Sequence, residues 1–442
     1  MQLLDWQALD AAGRRAALAR APALADESVL QQARDIIARV RSEGDAALRA
    51  YARQFGGVEP GELRVAPAEF AEALASLPAA ALDALRTAID NVRTFHRAQL
   101  PAAIALETQP GVRCERVWRP LRSVGLYVPA GTAPLPSTAI MLAVPAGLAG
   151  CPRRILCTPA RADGRADAGV LAAAQLCGID TVFKVGGAQA IAALAYGTGS
   201  IPKVDKIFGP GNRWVTAAKQ LVAADPAGAA LDLPAGPSEV CVIADDSADA
   251  DYIAADLLAQ AEHDALAQAI LLTDSAALAQ RVHARLGARA ARLARQAVLA
   301  ASLEHLRLIV VPDLSTAAAV AEDYAPEHLL LQTRAPRALL ASISTAGSVF
   351  LGAFSPEPLG DYCSGTNHVL PTYGHARACS GLSVTDFMRS MTVQELSAEG
   401  LQRLGPVAVT LARLEGLDAH AAAVEARLAS LAAATRGAGA RA

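Results

Sequence analysis

Short apolar runs that end at glycine or proline alternate with helical stretches of about ten residues, and the alternation occurs twice along the chain. In the first series the strand-like runs lie at 123–128, 154–158, 181–185 and 204–208, with helical stretches at 137–148, 168–177, 188–196 and 213–223. In the second the strands lie at 239–243, 269–273, 308–311, 329–332 and 348–351, with helices at 250–263, 276–300, 315–323 and 336–343. Strands apolar from end to end and joined through helices belong to parallel sheets covered on both faces. The pattern therefore predicts two α/β domains, and 442 residues at about 150 per domain leave room for them. Gly/Pro clusters at 129–131 and 234–237 mark the expected crossings.

The flanks read differently. Residues 1–24 are expected to form an amphipathic helix broken at Pro22, and residues 27–100 to be helices alone, packed on the second sheet. From 382 to the end the chain reads as helix without strands, with Leu396, Leu401, Leu404, Val407, Leu411 and Leu414 at helical spacing. Such a tail must bury its apolar face against another surface, either its own body or a partner subunit. No run approaches the roughly 20 apolar residues of a membrane span, and the amino terminus lacks a secretory pattern. Forty basic and 43 acidic residues, without a basic run, argue against nucleic acid. Seven scattered cysteines with no C-x-x-C argue against disulfides and zinc fingers. A cytoplasmic, soluble, multidomain protein is expected.

The usual nucleotide signatures G-x-G-x-x-G and G-x-x-x-x-G-K-[ST] are absent. Two other turns, Val185-Gly186-Gly187-Ala188-Gln189 and Phe208-Gly209-Pro210-Gly211-Asn212, end a strand in glycines and open a helix. Such turns suit a phosphate, and they also serve as ordinary tight turns. Gln260 and His263 stand three apart near a helix end, close enough to share a metal, or simply a polar helix terminus. Glu327 and His328 sit between Pro326 and an apolar strand, as an acid–base pair or as a polar strand start. The loop 356–368 is dense in glycine, proline and functional side chains, as functional loops are.

Taken together, YAPEHL (324–329), SPEPLGDYCSGTNHVLPT (355–372), SGLSVTDF (380–387), AQAEHD (259–264), LPAGPSEV (233–240), KVGGAQAIAALAYGT (184–198), IFGPGN (207–212) and EGLDAH (415–420) resemble the histidinol dehydrogenase family. The resemblance runs in order from about residue 25 to 430. Cys363 is one departure, standing where a small residue such as alanine is expected.

The resemblance implies two incomplete Rossmann-like α/β domains with parallel sheets. One comprises residues 25–126 and 238–381 and carries the metal and catalytic residues; the other, 127–237, contacts NAD. Helical segments at 1–24 and 382–442 complete the chain, the latter swapped in a homodimer. One zinc per subunit falls to Gln260, His263, Asp361 and His420, and the catalytic pair to Glu327 and His328. Further substrate contacts fall on Ser238 and Glu415, with His368 nearby, and NAD contacts on Tyr127, Gln189 and Asn212. The implied reaction is the four-electron oxidation of L-histidinol to L-histidine through L-histidinal, which ends histidine biosynthesis. A homologous zinc/NAD dehydrogenase for another small amino alcohol or diol, a zinc hydrolase and a two-lobed binding protein are the alternatives. The hydrolase lacks H-E-x-x-H and leaves the glycine turns without purpose. The binding protein leaves the adjacent acid–base pair without one. A cysteine thiohemiacetal is disfavoured because no cysteine adjoins a candidate base in sequence.

Overall fold

A computed structural model describes residues 1–20, 27–130, 133–234 and 236–439. Pro22, Gly131 and Ala235, named above in a helix break and two crossings, lie outside the described residues. The chain divides into two units, one of residues 1–100 and 121–387, the other of residues 101–120 and the chain from Met388 onward.

The first unit holds two parallel sheets. One has six strands in the order Gln2–Asp5, Arg307–Val310, Gln268–Thr273, Glu239–Ala244, His328–Gln332 and Ser348–Leu351. The other has five, in the order Val182–Lys184, Arg153–Thr158, Ser123–Tyr127, Lys206–Phe208 and Ala230–Leu231. Both follow the alternation legible in the sequence. The Glu239–Ala244, Gln268–Thr273 and His328–Gln332 strands are buried throughout, because separate helix layers cover the two faces of their sheet.

Three expectations are corrected. Residues 1–24 do not form one helix. Gln2–Asp5 is a strand paired with Arg307–Val310, and the helix is confined to Ala11–Ala17, capped by Asp10. Four residues are too few to show a period, so pairing with a distant edge decided their conformation. The helices of residues 27–97 pack with the five-stranded sheet, not the six-stranded one. Val29, Ala33, Ile36 and Leu48 share a core with Phe183, Ile191 and Val215. An apolar stripe tells that a helix face is buried but not against which sheet. The tail is not strand-free either. Met388–Leu396 pairs antiparallel with Val112–Pro120, which also pairs with Ile104–Gln109, so the second unit has a three-stranded sheet. The partner strand lies far away in sequence, and no local signal announces it. Two packed helices, Ala398–Leu414 and Asp418–Gly439, complete that unit. Among the described residues no helix is long and apolar enough to cross a membrane.

Candidate active site and metal-binding group

In each sheet the strand order reverses once. In the five-stranded sheet the reversal falls between Ser123–Tyr127 and Lys206–Phe208. Ligands of open α/β sheets lie at the carboxyl ends of such strands, and there the two glycine turns meet. The Gly187 N–H donates to the Tyr127 hydroxyl at 3.0 Å, and the Gln189 side chain folds over Gly187. Gly187 has φ +70°, which favours glycine. Gly209 has φ +120° and lies so close to the Tyr127 carbonyl that a Cβ would overlap it. Its N–H donates to Asp232 at 2.7 Å, and the buried Lys219 ammonium donates to its carbonyl at 2.8 Å and to Asp232. Asn212 caps the Arg213–Ala224 helix, accepting from the backbone of Trp214 and Val215 at 3.1 Å. Tyr127, Gln189 and Asn212 therefore border the two glycine turns and a helix start.

The six-stranded sheet reverses between Glu239–Ala244 and His328–Gln332. Its carboxyl edge carries Asp245, Asp274 and Asp313, which would repel a phosphate. The charged side chains of interest gather at the opposite, amino edge. Glu327 and His328 open one strand and Glu239 opens its neighbour. The Glu239 N–H donates to Glu327 Oε2 at 2.8 Å, and His328 Nδ1 donates to the Glu239 carbonyl at 3.1 Å. Nδ1 thus carries a proton, and Nε2 is the ring nitrogen turned toward Asp361. His328 Nε2 and Asp361 Oδ1 face each other at 3.5 Å, both buried and neither with a hydrogen-bond partner. Two orphaned polar atoms aimed at one space are what a ligand or cation would satisfy.

Two short elements complete the group. Asp361 and Glu357 are one turn apart in the Glu357–Tyr362 helix, so both carboxylates face inward. Gln260 lies fully buried in the last turn of the Ala250–Ala261 helix, with His263 just beyond its end. Ligand atoms of His263, Glu357 and Asp361 lie within 4.8 Å of one another. Oriented so that donors meet acceptors, the Gln260 amide nitrogen donates to Glu357 Oε1 at 3.0 Å and to the Glu239 carbonyl at 3.3 Å. Its own oxygen is then turned away from both. His368 donates from Nδ1 to the Asp361 carbonyl at 2.7 Å and meets Thr138 Oγ1 at 3.1 Å through Nε2.

Burial sets the electrostatics. It pushes the carboxyls of Glu327 and Glu357 up to about 8 in each case, against the opposing charge of His328. Burial also opposes the His328 imidazolium, but Glu357, Glu327 and Asp361 outweigh it and raise that group well above its ordinary value. Asp361 is held below the usual carboxylate range because His328, His368 and His263 overcome the same cost. Asp361 is thus the anionic carboxylate of the group.

Of the residues named from the sequence, Gln260, His263, Glu327, His328 and Asp361 are brought together, with Ser238 half-buried just before Glu239. Glu415 and His420 belong to the second unit, at the turn between its helices, and both are exposed. Sequence reasoning passed over Glu357 and Glu239. The i, i+4 spacing of Glu357 and Asp361 would have flagged the first; nothing local flags the second.

Two parallel α/β sheets, with a buried glutamate–histidine pair beside a group of side chains that could hold a metal ion, define an α/β protein with a candidate enzyme site. The histidinol dehydrogenase family model matches residues 19–428. Histidinol dehydrogenases of Xanthomonas axonopodis pv. citri and Vibrio vulnificus are 53% and 50% identical, over 97% and 98% of this chain and 99% of each relative. The crystal structure of histidinol dehydrogenase from Elizabethkingia anophelis superposes with a TM-score of 0.92 at 40% identity, covering 98% of both chains. The chain belongs to the histidinol dehydrogenase family and is an oxidoreductase.

Proposed function

We propose that the protein oxidises L-histidinol to L-histidine by way of L-histidinal, with two NAD as hydride acceptors and one zinc per subunit. The observation that carries this reading is the pair of orphaned atoms, His328 Nε2 and Asp361 Oδ1, within the group of His263, Glu357 and Asp361. An imidazole, an ionised carboxylate and a neutral amide oxygen form a donor set suited to zinc. Gln260, His263 and Asp361 would hold the metal, with His420 as the fourth ligand. When bound, zinc supplies a cationic anchor to which the substrate's imidazole and amine are natural donors.

The chain's own residues divide the remaining work. His328, held by its Nδ1–H on the Glu239 carbonyl, would in its neutral form take the alcohol proton at Nε2. Glu327, a buried carboxylate of raised basicity, activates water against the aldehyde carbon in the second half. Ser238 and Glu415 contact the substrate. The nicotinamide dinucleotide would lie along the turns of Tyr127, Gln189 and Asn212, where glycine lets a ligand approach the backbone closely at a helix start. Holding the amino aldehyde at one anchor keeps a reactive intermediate from escaping. Chelation of the purified protein is expected to abolish NADH formation from histidinol, and added zinc to restore it. Full activity in metal-free protein, or a preference for another amino alcohol, would contradict the assignment.

The tail belongs to the same proposal. Val407, Leu411 and Leu414 are exposed, an apolar stripe without cover. A homodimer that exchanges these segments buries the stripe and delivers Glu415 and His420 to the partner's site.

A further inference from the structure

We infer that Arg20 and Glu239 form a positioning pair that aligns Glu327 and His328 through the Glu239 backbone. The inference rests on the role proposed above for these two residues. Among the described residues, the side-chain hydrogen bonds of Glu327 and His328 both go to the main chain of Glu239: its N–H donates to Glu327, and its carbonyl accepts from His328. Glu239 is the first residue of its strand and pairs there with Gln268 of one neighbouring strand, while register with the other begins at Val240. Its side chain adds a second hold.

That side chain is gripped on both oxygens. Arg20 Nε meets Oε1 at 2.5 Å and Nη2 meets Oε2 at 2.9 Å, a bidentate pair with side chains 17% and 2% exposed. Arg20 Nη2 also donates to the Tyr324 carbonyl at 2.7 Å, and its guanidinium lies 3.9 Å from the Tyr324 ring centre. Tyr324 leads through Ala325, at φ +50°, and Pro326 into Glu327. One guanidinium therefore holds both chain segments from which the catalytic pair hangs. Tyr373, the other non-glycine residue with positive φ among the described residues, donates its N–H to Glu239 Oε1 at 2.8 Å. Around Arg20, the Tyr324 hydroxyl donates to Gln268, and Gln268 donates to the Ala19 carbonyl, both at 3.0 Å.

An ion pair buried this deeply is a poor source of stability, since apolar residues of similar volume serve as well or better. What it provides is geometry: the planar fork fixes two oxygens and a carbonyl at once, which a lysine ammonium cannot do. The strand and helix of residues 2–17 then acquire a purpose, anchoring Arg20 beneath the site from the edge of the six-stranded sheet.

Arg20→Lys keeps the charge and loses the fork. Its kcat should fall at least about tenfold on histidinol and on histidinal, as misplacement of catalytic groups by a fraction of an ångström does. KM for NAD, zinc content and the unfolding midpoint should stay near wild type. In the double variant with Glu327→Gln, the loss on histidinal should be smaller than the product of the two single losses, because both act on one group. Unchanged kcat in folded Arg20→Lys, or losses that multiply, would overturn the inference. Should Arg20→Lys not fold, Glu239→Gln reads the same quantities; failure of both to fold would make the pair structural and overturn it as well. Wild-type protein assayed alongside separates the two readings. An inactive wild type counts against the proposed function, whereas an active one with indifferent variants counts against this inference alone.

Discussion

Glu327→Gln is expected to slow oxidation of histidinal by two to four orders of magnitude while slowing oxidation of histidinol to histidinal far less. The substitution keeps size and most of the hydrogen bonding, since the amide oxygen still accepts from the Glu239 N–H. It removes only the capacity to take a proton. Aldehyde oxidation needs an activated water and alcohol oxidation does not, so the two halves should separate. His328→Asn should impair both, because in the proposed mechanism the imidazole handles protons in each half. Assaying each variant separately on the alcohol and the aldehyde reads the division. Equal losses on both substrates in Glu327→Gln would mean that Glu327 merely holds the site together.

Mixing two inactive proteins should restore activity. A Glu327→Gln subunit and a His420→Asn subunit are each defective as homodimers. With swapped tails, the heterodimer has one site with intact Glu327 on its body and intact His420 from its partner. The other site carries both lesions. Random exchange makes about half of the dimers mixed, so activity should recover to roughly a quarter of wild type. If each tail serves its own chain, every site keeps one lesion and nothing is recovered. Burial of the exposed Val407, Leu411 and Leu414 would favour the proposed exchange.

Both sheets were legible in the sequence because strands buried on two faces read as uninterrupted apolar runs, such as EVCVIA and HLLLQ. The candidate site was legible where its residues are neighbours in the chain: Glu327 beside His328, or Gln260 three before His263. What depends on distant partners was not. Nothing in the composition of residues 388–396 says that they pair with 112–120, and no period of four residues could place Gln2–Asp5 at a sheet edge. The stripe on the helix of residues 27–43 was visible, but the choice between two apolar sheets was not. Glu239 looked like the polar start of a strand. Its part emerges only once Arg20, more than two hundred residues earlier, is seen on both of its carboxylate oxygens.

If one site carries both oxidations of histidinol, counting NADH against histidinol consumed, in zinc-loaded protein with NAD in excess, should give two NADH per histidinol. Histidine should be the sole product, and an added trapping amine should capture no free aldehyde. One NADH per histidinol with the aldehyde accumulating, or consumption of histidinol without NADH, would contradict that single-site reading.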